Sequence, residues 1–125
     1  MIYGIGIDIL EIERLRKALS CFKAYFQKRV FHPKEIDNCE NRKKTYSYYT
    51  IMFTSKEAFL KALGVGWQEG LKLTDIEIEC VYPFKPRIML HGKTKMLIEQ
   101  LKIKKMLVDF AYTNNYAVSL VILEV

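Results

Sequence analysis

The chain has 125 residues, of which half are apolar and 13% aromatic, and its formal net charge is +6. This composition excludes an intrinsically disordered chain, and the length predicts a single domain, residues 1–125, without a separate cofactor domain. The positive charge favours an anionic partner, which could be nucleic acid, a membrane surface, a phosphorylated cofactor or an acidic protein.

The first segment, from Met1 to Ile9, alternates apolar residues with glycine and aspartate, which predicts a strand with one apolar face. Gly4, Gly6 and Asp8 share the other face. Because glycine weakens a strand and removes side-chain bulk, two glycines beside a carboxylate indicate that something approaches the backbone there. The space could serve a ligand or a packed helix.

A helix is predicted from Glu11 to about Lys23, since apolar residues recur there at helical spacing. Arg14 and Lys17 fall on a different, wetter side and give the helix a basic face. Such a face is either simply solvated or a surface for an acidic partner. The apolar stripe consists of Ile12, Leu15, Leu19 and Phe22.

A short helix or turn is expected from Glu35 to Asn41, before the basic residues Arg42, Lys43 and Lys44. His32 has no cysteine, histidine or carboxylate near it in the sequence at metal-ligand spacing, so we expect a structural or exposed side chain.

The longest helical pattern runs from Thr45 to Leu63. It combines a broad apolar stripe with a side of small residues. Its third side is a polar line at spacings of three and four residues. Two glycines follow, which suit a left-handed helix end. The polar line is Thr50, Thr54, Glu57 and Lys61, and the glycines are Gly64 and Gly66.

The second half of the chain predicts shorter elements. They are a loop at Trp67–Gly70, a strand at Asp75–Cys80, a turn at Pro83–Pro86, a strand at Arg87–His91, a helix at Lys93–Lys102, and hairpin strands Lys105–Tyr112 and Tyr116–Val125 around Thr113–Asn115.

Asp8 and Glu57 are the two carboxylates predicted to bind one cation between them. Asp8 lies beside glycines, and Glu57 lies on the only polar line of its helix. Mg²⁺ commonly takes one or two protein carboxylates and fills its remaining positions with water and substrate phosphate. Lys61 would lie beside the ion and bind phosphate as a point charge. Alternatively, Glu57 and Lys61 form an ordinary helix surface pair worth about 0.2–0.5 kcal/mol.

The sequence resembles the holo-acyl-carrier-protein synthase family of phosphopantetheinyl transferases over nearly its whole length. The glycine-rich first strand and the Lys-Glu-Ala helix, at this separation in one small chain, carry the resemblance. The matching residues are Gly4-Ile5-Gly6-Ile7-Asp8-Ile9, Glu11, Arg14, Arg29-Val30-Phe31, Glu35, Lys56-Glu57-Ala58-Phe59-Leu60-Lys61-Ala62, Gly64, Gly66, Asp75-Ile76-Glu77-Ile78, Lys85-Pro86 and Tyr116-Ala117.

The resemblance implies an α+β fold in which a mainly antiparallel sheet packs against a long central helix. It also implies a homotrimer with coenzyme A in the clefts between subunits. Asp8 and Glu57 match the residues that hold Mg²⁺ on the coenzyme A diphosphate, and Arg14 and Lys17 match the surface that meets the acidic acyl carrier protein. The positions implied for coenzyme A are Lys43, Lys44, Lys61, Gly64, Gly66, Pro86, Tyr112 and Thr113.

The reaction implied is attack of a carrier serine hydroxyl on the β-phosphate of coenzyme A, with 3′,5′-ADP leaving, in support of fatty acid biosynthesis. Phosphoryl transfer is accelerated mostly by positioning and by neutralising developing charge, which would fall to Asp8, Glu57, Lys61 and the ion. Glu57, acting through a water on the ion, is the candidate for removing the serine proton.

Three positions depart from the family pattern. Tyr112 stands where the family commonly has histidine, so a hydroxyl replaces an imidazole. Met52 replaces an arginine, and Phe84 replaces the glycine of a Gly-Lys-Pro turn. Each change weakens the expected contacts with coenzyme A. With these three changes, an alternative hypothesis is that the chain is a divergent relative that binds the carrier protein but does not catalyse transfer.

The expected compartment is a reducing cytoplasm, because the three cysteines are odd in number and lack Cys-x-x-Cys spacing. The amino terminus does not have the pattern of a signal peptide, and no stretch approaches a membrane span of about 20 residues. A small RNA-binding module is a third hypothesis. It is disfavoured because the aromatic residues lie at core spacings, so we expect neither a nucleic acid nor a membrane partner.

Overall fold

A computed structural model describes residues 1–65, 70–81 and 85–125. Over these ranges the chain forms five strands, four α-helices and a short 3-10 turn at Leu73–Asp75. In chain order they are β1 (Ile2–Glu11), α1 (Ile12–Val30), α2 (Pro33–Glu40), α3 (Thr45–Leu63), β2 (Ile76–Glu79), β3 (Arg87–Leu90), α4 (Gly92–Gln100), β4 (Lys105–Tyr112) and β5 (Tyr116–Glu124).

The main sheet is antiparallel, with the order β1-β5-β4, and a separate two-stranded sheet pairs β2 with β3. Strand β5 pairs with β4 through a tight hairpin and with β1 from the other end of the chain. The two chain ends meet beside this sheet, since the Val125 amide donates to the Met1 carbonyl at 2.8 Å. The expected α+β fold with a mainly antiparallel sheet is confirmed.

Helix α3 crosses the inner face of the main sheet and supplies most of the core. Its apolar stripe and its small-residue side are both buried, so the helix has contacts on nearly every side. It ends at Gly64, whose φ of +77° allows its amide to donate to the Leu60 and Lys61 carbonyls. Tyr49, Met52 and Phe59 are fully buried in an apolar cluster that also includes Val121 and Leu123 of β5.

The glycines of β1 serve the packing of α3. A Cβ on Gly6 would lie 1.8 Å from the Ala58 carbonyl oxygen, and one on Gly4 would lie 1.9 Å from the Ala62 carbonyl oxygen. Of the two explanations for the glycine face, helix packing is therefore the one the structure confirms. Strand and helix approach closely because neither side carries bulk at the crossing.

The isoleucines of β1 lie on the opposite, outer face of the sheet. Ile5, Ile7 and Ile9 are 57–62% exposed. They stand in rows with apolar residues of β5 and β4, because Ile7 pairs with Leu120 and Ile5 with Ile122. We call this surface the apolar sheet face; it consists of Ile5, Ile7, Ile9, Leu107, Val118, Leu120 and Ile122.

Helix α1 differs from its prediction. It continues to Val30, well past the expected end near Lys23, with non-helical backbone angles at Phe22 (φ −140°, ψ 48°). Phe22 is 66% exposed, whereas the apolar stripe had placed it in the core. The break at Phe22 turns the second half of the helix, so one helical period does not describe both halves.

The other predicted elements agree within a few residues. The predicted loop at Trp67–Gly70 and turn at Pro83–Pro86 fall largely outside the described residues. Among the helices that the structure describes, none has the length and apolar character of a bilayer span.

A buried ion pair joins α3 to α2 in the core. The ammonium of Lys56 on α3 contacts the carboxylate of Glu35 on α2 and donates to the carbonyls of Val30 at 2.6 Å and Leu73 at 3.0 Å. Glu35 in turn accepts from the amides of His32 and Ile78. Because both charges are fully buried, these partners are required to satisfy them.

Candidate functional site

Strand β1 presents Asp8 to the last turns of α3. Asp8 pairs in register with Ser119 of β5 and follows Gly6, the point at which α3 comes closest to the strand. Its side chain is 18% exposed, so the carboxylate is held by the fold and still reaches solvent. The glycine that allows close packing therefore also fixes where the carboxylate lies.

Lys61 pairs with Asp8 across the strand–helix contact. Its ammonium nitrogen lies 3.0 Å from Asp8 Oδ1 and donates to the Ile7 carbonyl, also at 3.0 Å. The alternative of an ordinary surface pair between Glu57 and Lys61 does not account for these contacts, because the hydrogen-bonded partners of Lys61 are on β1. Lys61 is thus anchored to the backbone and the carboxylate of β1.

Glu57 is half-buried on α3 one turn before Lys61. Burial raises its pKa, the negative charge of Asp8 raises it further, and the charge of Lys61 lowers it. Lys61, one turn after Glu57, contacts Asp8 at 3.0 Å, so the two carboxylates lie on the same side of α3. Two neighbouring carboxylates at a partly open position form an all-oxygen donor set, which suits Mg²⁺.

Only some side chains of the predicted polar line on α3 are exposed to solvent. Thr50 and Thr54 are fully buried, and their hydroxyls donate back to the Tyr46 and Thr50 carbonyls. Threonine can satisfy its hydroxyl within its own helix, which allows burial at a position that the sequence pattern marks as polar. Glu57 and Lys61 are the part of the line that reaches solvent.

A buried hydroxyl cluster lies behind Asp8. The Ser119 hydroxyl lies 2.8 Å from that of Thr54 and 2.9 Å from that of Ser55. These bonds connect β5 to α3 at the strand position that faces Asp8. Sequence analysis missed Ser55 and Ser119 as part of the site, since only the register of β1 against β5 brings them together.

Basic and aromatic side chains meet near the start of α3. Arg42 stacks over the Tyr48 ring at 4.0 Å, and Lys44 lies 5.4 Å from the centre of the Tyr112 ring. The two tyrosine rings contact edge to face at 5.8 Å. Tyr112 is therefore held by cationic and aromatic neighbours, and Lys43 is exposed beside them.

The remaining predicted contacts with coenzyme A lie in different places. No atom of the described residues lies within 4 Å of a Cβ placed on Gly64, whereas Gly66 lies outside the described residues. The Thr113 hydroxyl accepts from the Asn115 and Tyr116 amides and so holds the β4–β5 turn. Pro86 lines a cavity beside β4 and β5 with Leu107, Leu120 and Ile122 of the apolar sheet face.

The predicted partner-binding residues, Arg14 and Lys17, are both exposed on α1. This helix follows β1 directly, so its basic face begins six residues after Asp8. Leu15 and Leu19 on the other side are buried, as the amphipathic pattern predicts.

His32 has close neighbours that its sequence position did not indicate. Glu77 Oε1 lies 3.7 Å from His32 Nδ1 and 2.9 Å from His91 Nε2. The two imidazole rings stack with their centres 5.0 Å apart. No ligand-type residue is near His32 in the sequence, but the fold brings Glu77 and His91 to it from β2 and from the start of α4.

Comparisons with known proteins agree with one another. A family profile described as the 4′-phosphopantetheinyl transferase superfamily matches residues 4–121. The holo-[acyl-carrier-protein] synthase of Geobacter sulfurreducens is 36% identical over 99% of this chain and 98% of its own. The crystal structure of the Neisseria meningitidis holo-[acyl-carrier-protein] synthase superposes with a TM-score of 0.91 at 27% identity, covering 99% of both chains.

A second similar structure is a complex with coenzyme A. It is the Helicobacter pylori holo-[acyl-carrier-protein] synthase in complex with coenzyme A. It superposes with a TM-score of 0.83 at 32% identity and covers 96% of this chain and 99% of that one.

Proposed function

Because the chain belongs to the 4′-phosphopantetheinyl transferase superfamily and is an enzyme of the holo-[acyl-carrier-protein] synthase type, we propose that it transfers 4′-phosphopantetheine from coenzyme A. The acceptor would be a serine of an acyl carrier protein, and the reaction would require Mg²⁺. The observation that carries the proposal is the convergence of Asp8, Glu57 and Lys61 at one partly open position. The released product would be 3′,5′-ADP.

Asp8 and Glu57 would hold the ion through their carboxylate oxygens. When bound, Mg²⁺ supplies positive charge to the diphosphate and orients it. Lys61 would give up its pairing with Asp8 in part and donate to a phosphate oxygen, neutralising charge that develops during transfer. We assign removal of the serine proton to Glu57 through a water molecule, because its carboxylate is half-buried on α3 and still reaches solvent at the proposed ion position.

The nucleotide end of coenzyme A would bind near the start of α3. Lys43 and Lys44 offer charge to its phosphates, and the Tyr112 hydroxyl offers a hydrogen bond. The Thr113 hydroxyl keeps a donor free, because the contacts that it makes in the turn use it as an acceptor. Gly64, with open space beside it, would let the backbone approach the cofactor; Gly66 is assigned the same role from the resemblance alone.

The carrier would dock on the basic face of α1 through Arg14 and Lys17. Both residues are exposed and lie on the helix that follows the strand of Asp8. A positive surface there would orient an acidic carrier so that its serine approaches the site.

The active form would be a homotrimer built on the apolar sheet face. An exposed face of isoleucine and leucine is unfavourable in water and is typical of a surface that another subunit covers. Pro86 lies on this outer side of the sheet, whereas Asp8 faces α3 on the inner side. A site that includes both residues is therefore best explained by two subunits.

The proposed setting is fatty acid biosynthesis in a reducing cytoplasm, with residues 1–125 acting as a single transferase domain. All three cysteines are free, and Cys39 and Cys80 are buried, as expected of a protein that keeps its thiols reduced.

A carrier-binding relative without transferase activity is the second candidate, favoured by two positions. Met52 is fully buried and offers no charge to an anion, and the Tyr112 ring packs against Tyr48 and Lys44. Isothermal titration with coenzyme A and Mg²⁺ separates the candidates. Absence of heat, together with no competition by 3′,5′-ADP, would favour the second.

Transfer is tested by incubating an apo acyl carrier protein with the enzyme, coenzyme A and Mg²⁺ and weighing the carrier by mass spectrometry. We expect the carrier to gain the mass of the phosphopantetheine arm. Asp8→Ala removes half of the proposed ion site and is expected to abolish the gain. Glu99→Ala, which deletes an exposed acid on α4, is the matched control and is expected to retain it. Full activity of Asp8→Ala would refute the assigned metal ligands.

A further inference from the structure

The chain contains two histidines, and the fold brings both of them to one buried carboxylate. His32 precedes α2 and His91 precedes α4, whereas Glu77 lies in the middle of β2. Glu77 is 4% exposed. A carboxylate at this depth needs a positive partner or several hydrogen bonds, and imidazole nitrogens are the side-chain groups next to it.

The distances suit a tetrahedral metal ion. With bonds of about 2.0–2.1 Å, neighbouring ligand atoms around Zn²⁺ are roughly 3.3 Å apart. The Glu77–His91 and Glu77–His32 distances, 2.9 and 3.7 Å, lie on either side of that value. All three ligand atoms lie within 4.8 Å of one another. The imidazole rings now stack nearly parallel, so one of them would rotate about its side-chain torsions to direct its nitrogen at the ion.

The backbone of each ligand is fixed by hydrogen bonds of its own. The His32 amide donates to Glu35, the His91 amide donates to the Asp75 carbonyl at 2.9 Å, and Glu77 is paired with β3. His32 Nδ1 accepts from the Lys34 amide at 3.2 Å in the present arrangement. An ion would take the place of that amide as the partner of Nδ1, at the cost of one exposed hydrogen bond.

From this geometry we propose that His32, Glu77 and His91 form a binding site for a divalent transition-metal ion of the Zn²⁺ class. Two imidazoles and one carboxylate are a donor set that suits Zn²⁺, whereas the all-oxygen pair Asp8 and Glu57 suits Mg²⁺. The fourth position faces solvent, because the side chain of His91 is 43% exposed. The two sites therefore select different ions.

The role that follows is a structural connection between α2, β2 and α4. Glu35, whose carboxylate accepts from the His32 and Ile78 amides, lies directly behind this site and pairs with Lys56. Lys56 precedes Glu57 on α3. The ion would therefore stabilise the part of α3 that carries the proposed catalytic carboxylate. An ion that binds only the folded chain raises its stability by RT ln(1 + [ion]/Kd), so the melting temperature rises with ion concentration.

The site is tested on the full chain, made metal-free and then kept in an excess of Mg²⁺ to fill the carboxylate site. Zn²⁺ is titrated by calorimetry and by melting temperature, and imidazole nitrogen resonances are followed by NMR. Because the chain has two histidines, every imidazole signal reports on this site. We expect one Zn²⁺ per chain, shifts of both imidazoles and a higher melting temperature.

His91→Gln separates ion binding from simple hydrogen bonding. Its amide still donates to Glu77, so the fold keeps that contact, but the imidazole ligand is gone. We expect Zn²⁺ affinity to fall at least tenfold while the circular dichroism spectrum is unchanged. Glu77→Gln provides a second variant with the same expectation. Cys21→Ser, which removes the exposed thiol, is expected to bind Zn²⁺ like the parent chain.

Two outcomes would overturn the proposal. One is that the parent chain shows no Zn²⁺ binding under these conditions. The other is that His91→Gln binds Zn²⁺ as tightly as the parent chain, which would locate the ion elsewhere. Transferase activity is not used as the readout, so the result stands apart from that of the carrier assay.

Discussion

At the scale of single residues, Glu57 shows how a binding site can conflict with stability. Its carboxylate is half-buried and close to Asp8, so burial and a like charge both raise its pKa. In the folded chain without a cation, the charge of Glu57 is therefore less favourable than in the unfolded chain, where the carboxylate is solvated. The favourable interaction of Lys61 offsets this repulsion only in part.

We predict that Glu57→Gln stabilises the metal-free protein and abolishes transfer. Because folding raises the pKa of Glu57, its charge destabilises the folded chain at pH values above the folded-state pKa. The destabilisation is absent at pH values below the pKa that Glu57 has in the unfolded chain. At neutral pH we expect a gain of a few tenths to about 1 kcal/mol in the free energy of unfolding, after allowance for solvent screening. Urea titrations at neutral and acidic pH measure it. The gain is expected to vanish at acidic pH, and a gain of equal size at both would contradict the assignment.

Arg14 tests the docking surface of the carrier. We predict that Arg14→Glu raises the carrier KM about five- to tenfold, because it reverses a charge that would meet acidic residues. The affinity for coenzyme A is expected to stay the same. Steady-state kinetics with each substrate varied in turn provide the measurement. Lys95→Glu, the same charge change on an exposed position of α4, is the control; an unchanged KM in Arg14→Glu would exclude this face.

At the scale of elements, the contact between β1 and α3 determines both packing and the position of the site. Alternation in the sequence correctly predicts β1 as a strand, but alternation alone does not say which face is buried. The apolar isoleucines lie outside and the glycines inside, because the carbonyls of Ala58 and Ala62 occupy the space that side chains would need. Close backbone approach therefore decides the inner face.

We predict that Gly6→Ala destabilises the fold by about 3 kcal/mol, since its Cβ would overlap the Ala58 carbonyl oxygen at 1.8 Å and force α3 away from the sheet. Gly64→Ala is the control. Its Cβ meets no atom within 4 Å in the part of the chain that the structure describes, which leaves backbone strain at φ +77°, worth about 1–2 kcal/mol. Urea unfolding of both variants gives the comparison, and equal losses would show that the clash is relieved elsewhere.

The sequence predicts the elements whose signals are local. The bounds of α3 follow from its long apolar pattern and from Gly64 at its end, and those of β4 and β5 from the Thr113–Asn115 turn. Helix α1 is mispredicted past Phe22 because a tertiary bend interrupts its period. The cluster of His32, Glu77 and His91 has no local signal at all, since its residues come from three separate segments.

For the molecule as a whole, the apolar sheet face is a surface that a single chain leaves exposed to water. Its exposed isoleucines and leucines would gain roughly 25 cal/mol for each Å² removed from water. Asp8 and Glu57 could be predicted as a site from one chain, because both belong to it. A site shared between subunits is less accessible to sequence analysis, because the alternation that marks a buried face is the same for a core and for an interface.

We predict that Ile7→Glu converts the proposed trimer to monomers and reduces transfer with it. Burying a carboxylate in the middle of an apolar interface carries a large desolvation cost. Light scattering coupled to size-exclusion chromatography measures the mass. Met96→Glu is the matched control, because Met96 on α4 is also 59% exposed. A trimer that persists in Ile7→Glu would show that subunits associate through another surface.

The pairing of β1 with β5 has a consequence for the order of folding. Asp8 and Ser119, its partner in register, lie far apart along the chain. Contacts of large sequence separation close a long loop and form later than local helices. Because β5 is the central strand of the main sheet, we expect Asp8 to reach its final position late in folding, after α3 has formed.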